Sequence, residues 1–248
     1  MKPSSHPLTP VSFPLVALWV AALWIAIPWA PASAAEEPHS SETTDSETQQ
    51  VEVPGVQLGE LFPEVEASLE SPDGAAVELA GQWGTEGLMV VFASNTCAYM
   101  VDWLDRFPRL AELAQTEGVG LVVVNSNARR RQRQESPEAM AILAAEQGWS
   151  FPYLVDRDAT LAQALGAQRT PEVFLFDGGR RLVYRGAIDD HSGPWERVES
   201  HWALDALRQL VAGEGILTPS TQALGCAVQP PRKRRGSPSA EGGGASPD

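Results

Sequence analysis

The sequence predicts an α/β sandwich with a mixed central sheet. Two continuous apolar runs, residues 88–93 and 119–125, suit strands buried on both faces. Segments with apolar residues at three- and four-residue steps, the helical period, follow each of them. A strand–turn–strand stretch and a last amphipathic segment then close the pattern, as when antiparallel strands are added to a parallel sheet.

Taken in order, residues 65–69 and 77–79 flank Pro72-Asp73-Gly74 and read as a small hairpin. The strand 88–93 leads into a helix over 97–116, with Tyr99, Trp103, Phe107, Leu110 and Leu113 on one face. Pro108 lies inside that helix and should kink or break it, and Gly118 ends it. After the strand 119–125 comes a polar, arginine-rich loop to Glu135. Ser136-Pro137-Glu138 is a helix start: a serine N-cap, proline at the first position and an acid in the first turn. That helix stops at Gly148. A short strand 151–155 follows, then a helix 159–165 capped by Asp158 and ended by Gly166. Residues 172–176 and 181–185 form a hairpin around Asp177-Gly178-Gly179, and the last helix spans 194–212 with Val198, Trp202, Leu207, Leu210 and Val211 on its apolar face.

The 248 residues divide into segments of different composition. Residues 1–34 read as a secretory signal: Lys2, an apolar run over 15–27, and Ala32-Ser33-Ala34 as a small-x-small cleavage site near Ala34. The other reading is an uncleaved N-terminal anchor, the one route to a membrane. Residues 35–54 are an acidic, disordered linker, 55–228 the folded domain, and 229–248 a disordered tail with the basic cluster Arg232-Lys233-Arg234-Arg235. Export, periplasmic or secreted, places the domain where disulfides persist. The formal net charge is −14, and loss of Lys2 with the signal takes it to −15, which disfavours nucleic acid as a partner.

Only two cysteines exist, Cys97 and Cys226. Cys97 sits where a buried strand gives way to a helix, a setting of outward N–H groups and positive dipole that lowers a thiol's pKa. Asp102 and Asp105 oppose that effect, and Arg169 or Arg185 would counter them if turned inward. Residues 213–226 read as a loop able to fold back. A disulfide needs Cα atoms within roughly 7 Å, and spacing alone does not establish that. Cys97 as a buried inert thiol, and the pair as a structural staple, are the plainer readings. The run Arg129–Arg131 with Arg133 steers an anionic partner or, more plainly, is a solvated loop. Asp189-Asp190-His191 reads as turn chemistry. His191 and His201 show no metal-ligand spacing, and no Gly-rich phosphate loop is present, so neither metal nor nucleotide cofactor is expected.

Several blocks together resemble the thioredoxin-like fold, and within it the redoxin branch related to the alkyl hydroperoxide reductase and thiol-specific antioxidant (AhpC/TSA-like) proteins. They are the stretch from Phe92 to Cys97, Val-Val-Asn-Ser-Asn at 123–127, Ser-Pro-Glu-Ala-Met at 136–140, Phe-Pro-Tyr-Leu-Val-Asp at 151–156, Thr-Pro-Glu-Val-Phe-Leu-Phe-Asp at 170–177, Tyr-Arg-Gly-Ala-Ile-Asp-Asp at 184–190 and Leu224-Gly225-Cys226. The resemblance spans about residues 55–228. It implies an α/β/α sandwich with a cis bond before Pro171, so that Thr170 and Pro171 shape a substrate groove beside the thiol. It also implies thiol-dependent oxidoreductase chemistry on a peroxide or disulfide substrate, with an external thiol as reductant.

The departures from that pattern are specific. Thioredoxin-type reductases carry Cys-x-x-Cys at this helix start, and here Met100 holds the fourth position. Subgroup members often read Cys-Asn-His-Cys-Pro, where this chain has Ser94-Asn95-Thr96-Cys97-Ala98. Peroxiredoxins place Thr or Ser three residues before the peroxidatic cysteine and Pro seven before; Ser94 fits and Val90 does not. The expectation is therefore Cys97 as nucleophile, Cys226 as resolving thiol, and Ser94 and Thr96 hydrogen-bonding the reacting sulfur or oxygen. Two other classes stand beside it: a non-catalytic binding module with a permanent Cys97–Cys226 disulfide, and a redox sensor that docks or releases the basic tail.

Overall fold

The computed structural model describes residues 55–65 and 69–232. The expected signal 1–34, the linker 35–54 and the tail from Lys233 onward lie outside the described residues, as does the stretch 66–68 of the first hairpin.

The strands are β1 (Leu69–Glu70), β2 (Ala76–Val77), β3 (Gly87–Phe92), β4 (Val119–Asn125), β5 (Tyr153–Asp156), β6 (Arg169–Thr170), β7 (Glu172–Asp177), β8 (Leu182–Gly186) and β9 (Cys226–Ala227). The helices are α1 (Ala98–Trp103), α2 (Arg106–Thr116), α3 (Pro137–Glu146), α4 (Thr160–Leu165) and α5 (Trp202–Val211). The main sheet runs β2-β1-β5-β4-β3-β7-β8. Its centre, β5-β4-β3, is parallel, and β1 and β7 add to it antiparallel. Strands β6 and β9 form a separate antiparallel ladder. This is the mixed α/β sandwich that the pattern predicts, with a thioredoxin-like arrangement.

The two apolar runs become central strands because both faces are covered. Every residue of β3 is buried. Met89 and Val91 face a cluster with Trp103, Phe107, Leu110 and Leu207, which α1, α2 and α5 supply. Leu88, Val90 and Phe92 face the other side, against Leu161 and Leu165 of α4. Alternate side chains thus enter different layers, as the pleat demands.

Several boundaries and one cap differ from expectation. The helix over 97–116 is two helices, broken at Leu104 and Asp105 rather than at Pro108 itself. Proline has no N–H for the carbonyl four residues back and crowds it, so the break falls one turn upstream, and Pro108 sits in the first turn of α2 where no donor is missed. Helix α4 is served not by Asp158 but by Asp156, which accepts from Leu161 N at 3.4 Å and Ala162 N at 3.0 Å. The last helix begins at Trp202, not Pro194; Val198 is extended, and Trp195 instead stacks on His201 with ring centroids 4.2 Å apart. The second strand of the first hairpin ends at Val77, because Leu79 opens a 3-10 turn. The Ser136 cap appears as expected and accepts from Ala139 N at 3.2 Å.

Asp189 is more than turn chemistry. It is buried and accepts from Trp103 Nε1 at 2.5 Å and Arg106 Nε at 2.8 Å, tying the 189–193 loop to α1 and α2. Arg106 also donates to the carbonyls of Gly193 and His191. Asp105 also pairs with Arg106 Nη1 at 2.5 Å, so loss of Asp189 leaves the guanidinium one counter-charge but strips Trp103 Nε1 and Arg106 Nε of their acceptor. Asp189→Ala is therefore expected to destabilise the fold by about 2–3 kcal/mol, read as a lower urea midpoint with unchanged slope.

Candidate functional site

The site forms beyond the carboxyl ends of β3 and β4, where open α/β sheets place their ligands. As β3 ends, Ala93 N still donates to Val124 O at 2.8 Å. The next residues leave the sheet and turn around one buried carboxylate, Glu135. It accepts from Ser94 Oγ and Thr96 Oγ1 at 2.5 Å each, from Asn95 N at 3.0 Å and from Thr96 N at 3.1 Å. Asn125 Nδ2 adds a bond at 2.6 Å and Asn127 Nδ2 one at 3.4 Å. Asn95 Oδ1 is fixed in turn by the buried Tyr153 hydroxyl at 2.7 Å. Ser94 and Thr96 therefore serve Glu135; the bonds they make do not reach the Cys97 sulfur, contrary to expectation. Their hydroxyl donors are consumed by the nearer and charged acceptor.

Burial alone would raise the Glu135 pKa, but the hydrogen bonds from Ser94, Thr96, Asn125 and Asn95 outweigh it and hold the carboxyl below its ordinary 4.5. Arg131 backs this carboxylate from the loop. Its guanidinium donates to Asn125 Oδ1, Asn125 O, Asp156 O and Glu135 O, at 3.0, 2.8, 3.1 and 3.3 Å. That arginine is not part of a solvated loop, although Arg130 and Arg133 are exposed.

Cys97 is the N-cap of α1 and only 1% exposed. Its thiol donates to Thr170 O at 2.9 Å, and its sulfur accepts from Cys226 N at 3.3 Å. The second contact exists because residues 219–230 fold back as a strap. The strap first lies along β8: Arg185 N donates to Pro219 O at 3.0 Å and Thr221 N to Arg185 O at 3.1 Å. Tyr184 OH and Ala187 N both meet Thr221 Oγ1 at 2.9 Å. It then pairs with β6, Thr170 opposite Cys226. It ends on the loop after β4, with Gln229 N on Asn127 Oδ1 at 2.8 Å. Gly225 permits the close approach: it has φ +150°, and a Cβ there would lie 2.1 Å from Thr170 O. The Thr170–Pro171 peptide bond is cis.

Both cysteines are free thiols. Cys226 is partly exposed, and burial pushes its thiol up, as do the hydrogen bond and the charge of Cys97 beside it. The N–H groups of Ala98 and Tyr99 act in the opposite direction. Arg169 is exposed and reaches Gly225 O at 3.5 Å, while Arg185 pairs with Glu172 at 3.5 Å and lies over Phe174. Neither arginine bonds the thiols. Among the described residues no group of three or more His, Cys, Asp or Glu could hold a metal ion.

Sequence reasoning missed Glu135, Arg131 and Gly225. Glu135 and Arg131 sit in a polar run with no periodicity, where nothing local separates a buried charge from a solvated one. Gly225 had a cue in the Gly-Cys pair but not its reason.

A family model described as Redoxin matches residues 57–200. An uncharacterized conserved protein from Geobacillus kaustophilus is 30% identical, with 70% of this chain and 92% of that chain covered and a TM-score of 0.64. A hypothetical protein from Sinorhizobium meliloti 1021 is 28% identical, with 72% of this chain and 97% of that one covered and a TM-score of 0.65. No curated protein matches the chain.

A carboxyl whose pKa is depressed on folding stabilises the folded state above its unfolded pKa, and that stability is lost as pH falls through the folded pKa. Glu135 should therefore make the fold acid-sensitive below its ordinary value of 4.5. Glu135→Gln is expected to cost about 2–3 kcal/mol at neutral pH and to flatten the acid limb of the stability–pH curve. Amide exchange at Asn95 and Thr96 should accelerate in the same variant.

Proposed function

The chain belongs to the Redoxin family, and from that membership we propose that it is an exported thiol-dependent oxidoreductase with Cys97 as nucleophile and Cys226 as resolving thiol. The family carries a thioredoxin-like redox function. The observation that supports these residues is the contact between Cys226 N and Cys97 Sγ at 3.3 Å, across 129 positions of sequence. Export rests on the signal-like composition of residues 1–34.

The substrate is a peroxide or a disulfide. With a peroxide, the Cys97 thiolate attacks one oxygen, the O–O bond breaks, and the alcohol or water leaves with a proton. The Cys97 sulfenic acid is then attacked by Cys226; an S–S bond forms and water leaves. With a disulfide, Cys97 bonds one sulfur and expels the other as thiolate, and Cys226 resolves the mixed disulfide by attacking the Cys97 sulfur. Both routes end in a Cys97–Cys226 disulfide that an external dithiol reopens. The pairing of β9 on Thr170 favours the peroxide, since a substrate peptide would have to displace the strap from that backbone. Thr170 and Pro171 then act as a seat for the strap.

The other reading is a non-catalytic module stapled by this disulfide. The near-complete burial of Cys97 favours it.

One equivalent of hydrogen peroxide added to the reduced protein separates the two, followed by intact mass and peptide mapping. Expected are rapid loss of two hydrogens at Cys97–Cys226, a gain of one oxygen on Cys97 in Cys226→Ser, and no reaction in Cys97→Ser. Gly225→Ala, which pushes the strap off Thr170, should slow closure about tenfold, equivalent to ~1.4 kcal/mol. Because the Cys226 pKa is raised above 9.0, the closing step should go on accelerating into alkaline pH. Silence toward peroxide over hours, or a disulfide that mild dithiols do not open, would hand the site to the staple.

A further inference from the structure

The loop between β4 and α3 carries Arg129, Arg130, Arg131 and Arg133 in a chain of formal net charge −14. The fold gathers them with Arg157 around a cavity of about 780 Å³ whose lining contains no acid. Like charges so placed repel unless something neutralises them.

The acids nearby account for only part of this charge. Arg157 is taken by Glu70 through both Nε and Nη2. Arg131 is set among backbone and amide oxygens with Glu135 and Asp156 as its nearby counter-charges, yet its buried Nε has no partner. Arg129 Nε donates to Pro230 O at 3.0 Å, a neutral acceptor. Among the described residues no carboxylate pairs with Arg129, Arg130 or Arg133.

We propose that this cavity binds a small, multiply charged anion bearing phosphate or carboxylate groups, held by Arg130 and Arg133 with Arg129 beside them. Guanidinium forks present paired donors that match the oxygens of both groups. The volume lies within the ~300–1,000 Å³ typical of small-molecule sites, and exceeds what a lone inorganic ion fills. A partly enclosed charge is screened less by salt than one on open surface. The site is separate from the thiol pair and independent of the redox reading, although Arg129 also holds the strap through Arg129 N on Gln229 O at 3.4 Å.

Calorimetric titration of the reduced full-length protein with pyrophosphate, and separately with citrate, at constant ionic strength tests the proposal. Saturable binding of either is expected, weakened about tenfold by Arg130→Gln and again by Arg133→Gln, with thermal melting of the free variants unchanged. Pyrophosphate alone would assign a phosphate-bearing ligand, and citrate alone a carboxylate-bearing one. Binding no stronger than that of chloride, or insensitive to both substitutions, would overturn the proposal. So would a wild type that binds neither anion while a variant with Glu36, Glu37, Glu42, Asp45 and Glu47 changed to amides binds them. That result would give the seat to the chain's own acidic segment.

Discussion

The backbone of Thr170 is the point on which the site depends. Its carbonyl accepts the Cys97 thiol at 2.9 Å, and its strand pairs with the segment that holds Cys226. One residue thus fixes the Cys97 sulfur and the backbone of Cys226, from positions 129 residues apart. The arrangement needs no second cysteine in the helix-start motif, because the strap supplies it from the C-terminal side. It needs Gly225, since any side chain there would meet Thr170 O. The strap is in turn fastened at both ends, on β8 through Thr221 and on the loop after β4 through Gln229.

The Cys97 side of the pair is held by a different force. A buried carboxylate is costly unless several donors face it. Glu135 has them, and their balance against desolvation comes out in favour of the ion. The residues before Cys97 are polar for this reason: Ser94, Asn95 and Thr96 give Glu135 hydroxyls and N–H groups that an apolar loop would lack. Arg131 completes the arrangement by carrying positive charge to the same place. The loop that bears the thiol is therefore ordered by a charge carried on the loop that follows a different strand.

These two supports explain why one short arginine-rich loop touches so much of the molecule. Arg131 reaches toward Glu135 and the end of β5, while Arg129 holds the strap at Pro230. The arginines left over face a cavity without acids.

The sequence by itself determined the sheet and its helices. The strands β3 and β4 are apolar runs, Ser136-Pro137-Glu138 combines an N-cap hydroxyl, a first-turn proline and a first-turn acid at one helix start, and alternating periods dictate which layer each side chain enters. Cys97 at a strand-to-helix junction was legible for the same reason: the signal is local. Tertiary structure alone decided what Cys97 touches. The Glu135 carboxylate, the inward turn of Arg131 and the return of Cys226 each join residues distant in sequence. Polar side chains carry no periodic signature of burial, and loop closure over long separations costs little more for one partner than another. Which acid ends up inside, and that Cys226 returns to Cys97 at all, follows from packing once the core has formed.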